Sequence, residues 1–254
     1  MDKQFNPFSL EGKTILITGA SSGIGRQCAI DCSKIGAKVI AIGRDKTKLQ
    51  KVCEEMTGNN DSYSYDLNNI EGIQDLIRTI TQKHGKFDGF IHAAGIEVTS
   101  PFKLTKPEDY KSLHRVNCLS AFEMVRNLCG IKTFNHGGGV IFIGSISSLI
   151  ARKGLTAYAA SKGALISAAK VMALEMAQRG IRVNVISPGT ILTPMMKEAL
   201  DTMTKEERDN RIEGFPLGLG QTTDISNACI YLLSDASKWV TGINLVVDGG
   251  YTIK

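Results

Sequence analysis

Long apolar runs are missing from this 254-residue chain. No stretch approaches the roughly 18 apolar residues that a membrane-crossing helix needs. The opening MDKQFNPFSLEGK has neither an apolar core nor a cleavage-like site, so a secretory leader is not expected. Cysteine pairs at metal-binding or redox spacing are also missing. The six cysteines, Cys28, Cys32, Cys53, Cys118, Cys129 and Cys229, include no CxxC. Cys28 and Cys32 lie one helical turn apart. The four histidines, His84, His92, His114 and His136, have no ligand spacing. We therefore expect no metal, reduced thiols in or near the core, and a cytoplasmic location. The net charge of +5 comes from 30 basic and 25 acidic residues mixed along the chain. Without a dense basic block, neither nucleic acid nor a membrane is an expected partner.

What is present is an alternation. Short β-branched runs recur at 14–18 (TILIT), 38–42 (KVIAI), 87–92 (FDGFIH), 139–144 (GVIFIG), 181–187 (IRVNVIS) and 243–247 (INLVV). SYSYD (62–66) is a weaker candidate. Each strong run is nearly continuous in apolar residues, as strands buried on both faces are. Between them, residues 24–35, 70–80 and 155–178 carry helical spacing or strong helix formers. This order predicts an α/β, doubly wound fold: about seven mainly parallel strands with helices on both faces. No linker or internal repeat divides residues 1–254, so one domain is expected. Residues 190–222 break the pattern with Pro194, Pro216 and the charged KEERDNR. This segment is either a lid over a substrate or a surface helix pair.

TILITGASSGIGRQCAI sets a strand, a glycine-rich turn and a helix in succession. Glycine permits dihedrals forbidden to other residues and lets a ligand approach the backbone. The helix start adds free N–H groups and a positive dipole end, which together suit a pyrophosphate. The expected binding residues in the turn are Gly19, Ser21, Ser22, Gly23, Ile24 and Gly25.

GSISSLIARKGLTAYAASKGALIS holds Ser145, Tyr158 and Lys162. A YxxxK pair is common by chance, so its placement carries the weight. On a helix Tyr158 and Lys162 face the same side. Ser145 follows a buried strand, at the ligand end of a parallel sheet. An ammonium beside a phenol lowers its pKa. Tyr158 would then exchange a proton with a carbonyl or alcohol, and Ser145 would hydrogen-bond the reacting oxygen.

TGASSGIG, Ser145, YAASK and the span from LEGKTILITGASSGIG to VDGG resemble the short-chain dehydrogenase/reductase family over nearly the whole chain. The resemblance implies a single Rossmann-type domain and hydride transfer to or from a nicotinamide. It implies Tyr158 as acid/base, Lys162 also on the nicotinamide ribose, Ser145 on the substrate, and Asn117 (RVNCLS) supporting a water relay. The residue-level alternative for Asn117 is a helix bend. SPGTILT would bring Pro188, Gly189 and Ile191 near the nicotinamide, with Thr193 near its amide or the pyrophosphate. Asp66, followed by Leu67, would hydrogen-bond adenine. Ala94 and Gly95 of HAAG would approach the adenosine ribose. His92 and Ala93 replace two asparagines of the family there, which leaves open whether a side chain still ties the central strand. INLVVDGGYTIK resembles the family's C-terminal element and implies a homotetramer.

Two further expectations concern selectivity. Dinucleotide folds place a carboxylate at the end of the second strand to hold the 2′-hydroxyl of NAD. Gly43 stands there instead, and Arg44 follows. That substitution predicts NADP(H) over NAD(H), with the guanidinium gripping a 2′-phosphate. Asp45 would cap the next helix; Lys46 and Lys48 would be solvated. The substrate would be a small or medium carbonyl or alcohol. A 3-oxoacyl-acyl-carrier-protein reductase is the alternative. Its docking cations are absent from TFNHGGG (133–139) and from position 174, which is Leu174. A catalytically silent scaffold is the third reading. Arg152 and Lys153 are either solvated loop cations or lie near the substrate mouth.

Overall fold

A computed structural model describes residues 6–253; the two ends of the 1–254 span lie outside the described residues. Seven strands are β1 (Thr14–Thr18), β2 (Lys38–Gly43), β3 (Asp61–Ser64), β4 (Phe87–His92), β5 (Phe134–Ile143), β6 (Arg182–Pro188) and β7 (Asn244–Val247). They form one sheet, ordered β3-β2-β1-β4-β5-β6-β7, with every neighbouring pair parallel. The helices are α1 (Gly23–Lys34), α2 (Lys46–Glu55), α3 (Ile73–His84), α4 (Pro107–His114), α5 (Ser120–Leu128), α6 (Thr156–Met176), α7 (Pro194–Asp201), α8 (Lys205–Glu213) and α9 (Thr222–Leu233).

The continuous apolar runs are explained by two cores. Ile15 and Ile17 of β1 and Val39 and Ala41 of β2 pack under α1, α2 and α9, through Cys28, Leu49, Val52, Ile225 and Cys229. Leu16, Ile40 and Ile42 point the other way, under α3, α5 and α6, through Ile77, Met124 and Leu165. Successive residues of a strand thus serve opposite faces. Each fully buried Leu or Ile contributes about 1.5–3 kcal/mol. Cys28 and Cys32, one helical turn apart, both lie in the first core.

Two strands differ from expectation. β5 begins at Phe134, ahead of the expected 139. Buried Phe134 pairs with Phe87 while Gly139 pairs with Gly89, so the register shifts and residues 135–138 bulge. β3 is short, occupies an edge and buries none of its residues fully. Its weak pattern reflects that position. Among the described residues, no helix is long and apolar enough to cross a membrane.

The strand order reverses between β1 and β4. Connections leave toward opposite sides there and open a crevice at the strands' C-terminal ends, the usual ligand position in such sheets.

Candidate active site

The crevice begins at the turn after β1. Gly19 and Gly23 have φ of 67° and 54°, in the left-handed region. A Cβ on Gly19 would meet the Ala94 backbone nitrogen at 2.6 Å, and one on Gly25 would collide with the Gly19 carbonyl oxygen. Glycine at these positions is therefore set by packing as well as by dihedral. Ser22 caps α1 in extended conformation without a side-chain cap bond, and the first turn holds no acidic side chain. The amides at this helix start are left to a ligand.

All the expected turn residues line one cleft of about 430 Å³, together with Arg44, Asp66, Leu67, Ala94, Gly95, Ser145, Tyr158, Lys162, Pro188, Gly189, Ile191 and Thr193. At one end, a Cβ on Gly43 would stand 3.1 Å from both Cβ and Oγ of Ser21. The space that a carboxylate-bearing residue would need is thus shared with the serine of the turn. The Arg44 carbonyl accepts from Ser64 Oγ at 2.9 Å. Its exposed guanidinium has no ion pair or hydrogen bond among the described residues. Asp45 caps α2, accepting from the Lys48 amide at 3.0 Å. Lys46 and Lys48 are exposed, and Lys48 lies 3.9 Å from Asp45. Asp66 accepts from the Asn68 amide at 3.0 Å in the loop after β3.

At the other end lie Ser145, just beyond β5, and Tyr158 and Lys162 on α6. Lys162 is buried and donates through Nζ to the Ile143 carbonyl at 2.8 Å. Burial pulls its pKa down to about 8, against the opposing pull of Glu97 and Cys118. Nζ stands 5.8 Å from the centre of the Tyr158 ring. The expected lowering of the phenol pKa does not govern here. Burial pushes Tyr158 up to about 12, and the Glu97 charge pushes the same way. A hydrogen bond from Ser145 pulls it back in part. The phenol is therefore protonated at neutral pH. Ser145 also accepts from the Ser147 amide at 3.2 Å, which fixes its hydroxyl at the head of a short 3₁₀ turn.

Asn117 is the one member of the expected set that does not face the cleft. It is fully buried on a π-helical turn, Arg115–Leu119, between α4 and α5. Such turns widen a helix locally and recur at functional sites. Asn117 accepts from the Ile96 amide at 2.8 Å and donates to the Ile96 carbonyl at 3.0 Å and to Ser161 Oγ at 2.9 Å. Its Oδ1 and the Lys162 Nζ both lie 3.2 Å from where a Cβ on Gly95 would sit. Asn117 thus lies on the bend and clamps the loop after β4 beside the lysine.

His92 answers the question raised by the missing asparagines. Its Nδ1 lies 3.0 Å from Thr18 Oγ1, so a side chain still ties β4 to β1. Burial, with the Lys162 charge adding, pulls its pKa down to about 3. The imidazole is neutral.

A second cleft of about 520 Å³ continues from Ser145 and Tyr158. Its far wall is α7 and α8, the segment that broke the strand–helix alternation, and it includes Met196, Met203 and Arg211. Arg152 lines it as well; Lys153 does not. Sequence reasoning missed Glu97, which lines both clefts, and Tyr65 and Asn68, which line the first beside Asp66 and Leu67. Glu97 lies only two residues past Gly95, but no motif marks it.

Fold and cleft together define a class, the doubly wound α/β oxidoreductases. A family model described as enoyl-(acyl carrier protein) reductase matches residues 19–252. The chain belongs to the short-chain dehydrogenase/reductase family. It is 32% identical to the 3-oxoacyl-[acyl-carrier-protein] reductase FabG of Thermotoga maritima, over 96% of this chain and 99% of that one. It is 33% identical to short chain aldehyde dehydrogenase 1 of Euphorbia lathyris, over 96% and 89%. A dehydrogenase/reductase from Sinorhizobium meliloti superposes with a TM-score of 0.88 at 30% identity, over 96% of this chain and 97% of that chain.

Proposed function

We propose that the protein is an NADP(H)-dependent oxidoreductase that interconverts a carbonyl and a secondary alcohol. The observation that carries this reading is the placement of Ser145, Tyr158 and Lys162 where the glycine-built cleft opens into the second cleft. The residues of the first cleft fit a nicotinamide dinucleotide. Gly19 and Gly25 let the turn pack tightly against Ala94 and on itself, the uncapped α1 amides would hold its phosphates, and Arg44, with no carboxylate at position 43, would hold a 2′-phosphate. When bound, the nicotinamide supplies or accepts the hydride.

The chain's own groups do the rest. Ser145 holds the carbonyl oxygen by a hydrogen bond that strengthens as charge builds on that oxygen. Tyr158, protonated at neutral pH, gives its proton to the resulting alkoxide. In the reverse direction the phenolate takes the proton from the alcohol. Lys162, 5.8 Å from the ring centre, favours the phenolate of the reverse direction without overcoming the effect of burial, and it can also hold ribose hydroxyls. Asn117 keeps the loop at Gly95–Ile96 and the lysine in place. Tyr158→Phe should lower turnover by about 10²–10⁴-fold while leaving the protein folded; unchanged turnover would overturn the assignment.

The 3-oxoacyl-carrier-protein reading has one observation in its favour, the identity to FabG proteins. Against it, the surface of α6 presents Leu174, 79% exposed, where a docking cation is wanted. Comparing an acyl-carrier-protein thioester with a free ketone decides between them. The intact Ser145, Tyr158 and Lys162 disfavour a silent scaffold. The resemblance of INLVVDGGYTIK to the family's C-terminal element supports a homotetramer, which we place in the cytoplasm. We read α7 and α8 as the substrate lid within a single domain.

A further inference from the structure

The second cleft is lined by four charged side chains, Arg152 and Arg211 with Glu97 and Glu207. Arg152, on the loop between Ser145 and α6, and Arg211, on α8, line it together with Tyr158 and Ser145. The two guanidinium groups come from separate elements of the cleft wall; burial and then the Arg152 charge lower the pKa of Arg211, with Glu97 pulling the other way. Like charges converging in a cleft cost free energy unless something of opposite sign joins them. Among the described residues no carboxylate forms an ion pair with either. Glu207 faces the cleft, but its Oε2 is held by the Thr204 amide at 2.8 Å and hydroxyl at 3.0 Å, capping α8. Glu97 is within electrostatic reach of Arg211, and among the described residues its one hydrogen bond is from Thr99 Oγ1, at 3.4 Å. The remaining wall includes Met196, Met203 and Phe215, which suit a short carbon chain.

We propose that the substrate carries a carboxylate, held between Arg152 and Arg211, a short carbon chain away from the carbon that reacts at Tyr158. The placing of the reacting carbon rests on the oxidoreductase reading; the anion site rests on the two arginines. A guanidinium suits this role because it presents paired N–H donors to a carboxylate. Two such groups would fix the direction of the chain and so the face of the carbonyl presented.

The probes are 5-oxohexanoate and its methyl ester, measured by calorimetric binding to the NADP⁺-loaded protein and by turnover with NADPH. Wild type should bind the acid about tenfold tighter than the ester, and Arg152→Gln and Arg211→Gln should each lower that ratio about tenfold. Arg211→Lys should restore part of it. Melting curves establish that each variant is folded. Equal binding of acid and ester, or a ratio untouched by both glutamine substitutions, overturns the proposal. Turnover decides the other question. Reduced ester with no preference for acid leaves the oxidoreductase reading standing and the anion site refuted. Arginine-dependent binding of acid with neither probe reduced supports the anion site and refutes the reaction.

Discussion

The two halves of the cleft are built from different material. The nucleotide half is mostly backbone. Gly19 lies against the Ala94 nitrogen, Gly25 against the Gly19 carbonyl, and Gly43 against Ser21. These contacts join the ends of β1, β2 and β4, so the half is continuous with both cores. The substrate half is mostly side chain. Its wall, α7 and α8, holds few buried residues: Leu200 is buried on α7, and α8 buries none fully. A backbone cradle accepts one kind of ligand and tolerates little change. A side-chain wall standing off the core can be altered without unfolding the sheet.

The largest expected effect breaks the first half. In Gly25→Ala the new Cβ meets the Gly19 carbonyl, which is fixed at the end of β1 and cannot withdraw. We expect a loss of about 2 kcal/mol in denaturant unfolding from overpacking. Turnover should fall by about a hundredfold because the displaced turn misplaces the cofactor. A Gly25→Ala variant with wild-type stability and turnover would mean that the cradle is softer than the contacts imply.

Lys162 lies where the halves meet, and there stability and chemistry oppose each other. Burial lowers its pKa from 10.5 to about 8. Below about pH 8 both folded and unfolded states carry the proton, and the folded state bears the full desolvation penalty. Between about 8 and 10.5 the folded state releases its proton first, so stability rises with pH relative to a chain lacking the amine. Lys162→Met should therefore melt higher than wild type at pH 7. Allowing for the lost Ile143 hydrogen bond, the gain is about 2 kcal/mol, or roughly 5 °C. The gap should narrow toward pH 10, and turnover should be lost. A lower melting temperature at pH 7 would show the lysine to be stabilising.

A smaller effect is expected at the outer end of the nucleotide half, where a side chain takes over from backbone. Arg44→Ala should lower the NADPH/NADH ratio of kcat/KM by about tenfold, the loss of one charge-assisted hydrogen-bonding group. An unchanged ratio would move the selectivity elsewhere, Ser21 being the next candidate.

The same division governs what could be read from sequence. A backbone cradle needs glycines at fixed spacing between a strand and a helix, so TGASSGIG was legible. So were the two-sided strands, because burial on both faces leaves a continuous apolar run. Ser145, Tyr158 and Lys162 were legible through their order. β3, an edge strand, left only the faint SYSYD. The phenol pKa is raised rather than lowered: spacing identifies Lys162 as a neighbour of Tyr158, but burial, which spacing does not reveal, governs. His92 preserves a tie that its identity alone did not promise. Glu97 had no signal, and Arg211 was marked only as part of the charged KEERDNR, since their role depends on how loops and α8 return to the cleft. Arg152 was visible only as a cation near the mouth.

The smallest expected effect tests the second half directly. Met203 lines the substrate cleft and is half-buried, in the turn between α7 and α8. Truncation at a partly exposed site far from the sheet removes little packing. Met203→Ala should change unfolding free energy by less than about 1 kcal/mol. It should raise KM for a ketone about threefold, the worth of one or two apolar contacts. Turnover at saturation should hold, because the proton and the reacting oxygen are handled by Tyr158 and Ser145. The comparison with Gly25→Ala is the point of the measurement. If Met203→Ala destabilises the fold as much as the glycine substitution does, the wall is part of the core and the two halves are one structure. If it moves KM alone, the cleft joins a fixed cradle to an adjustable wall.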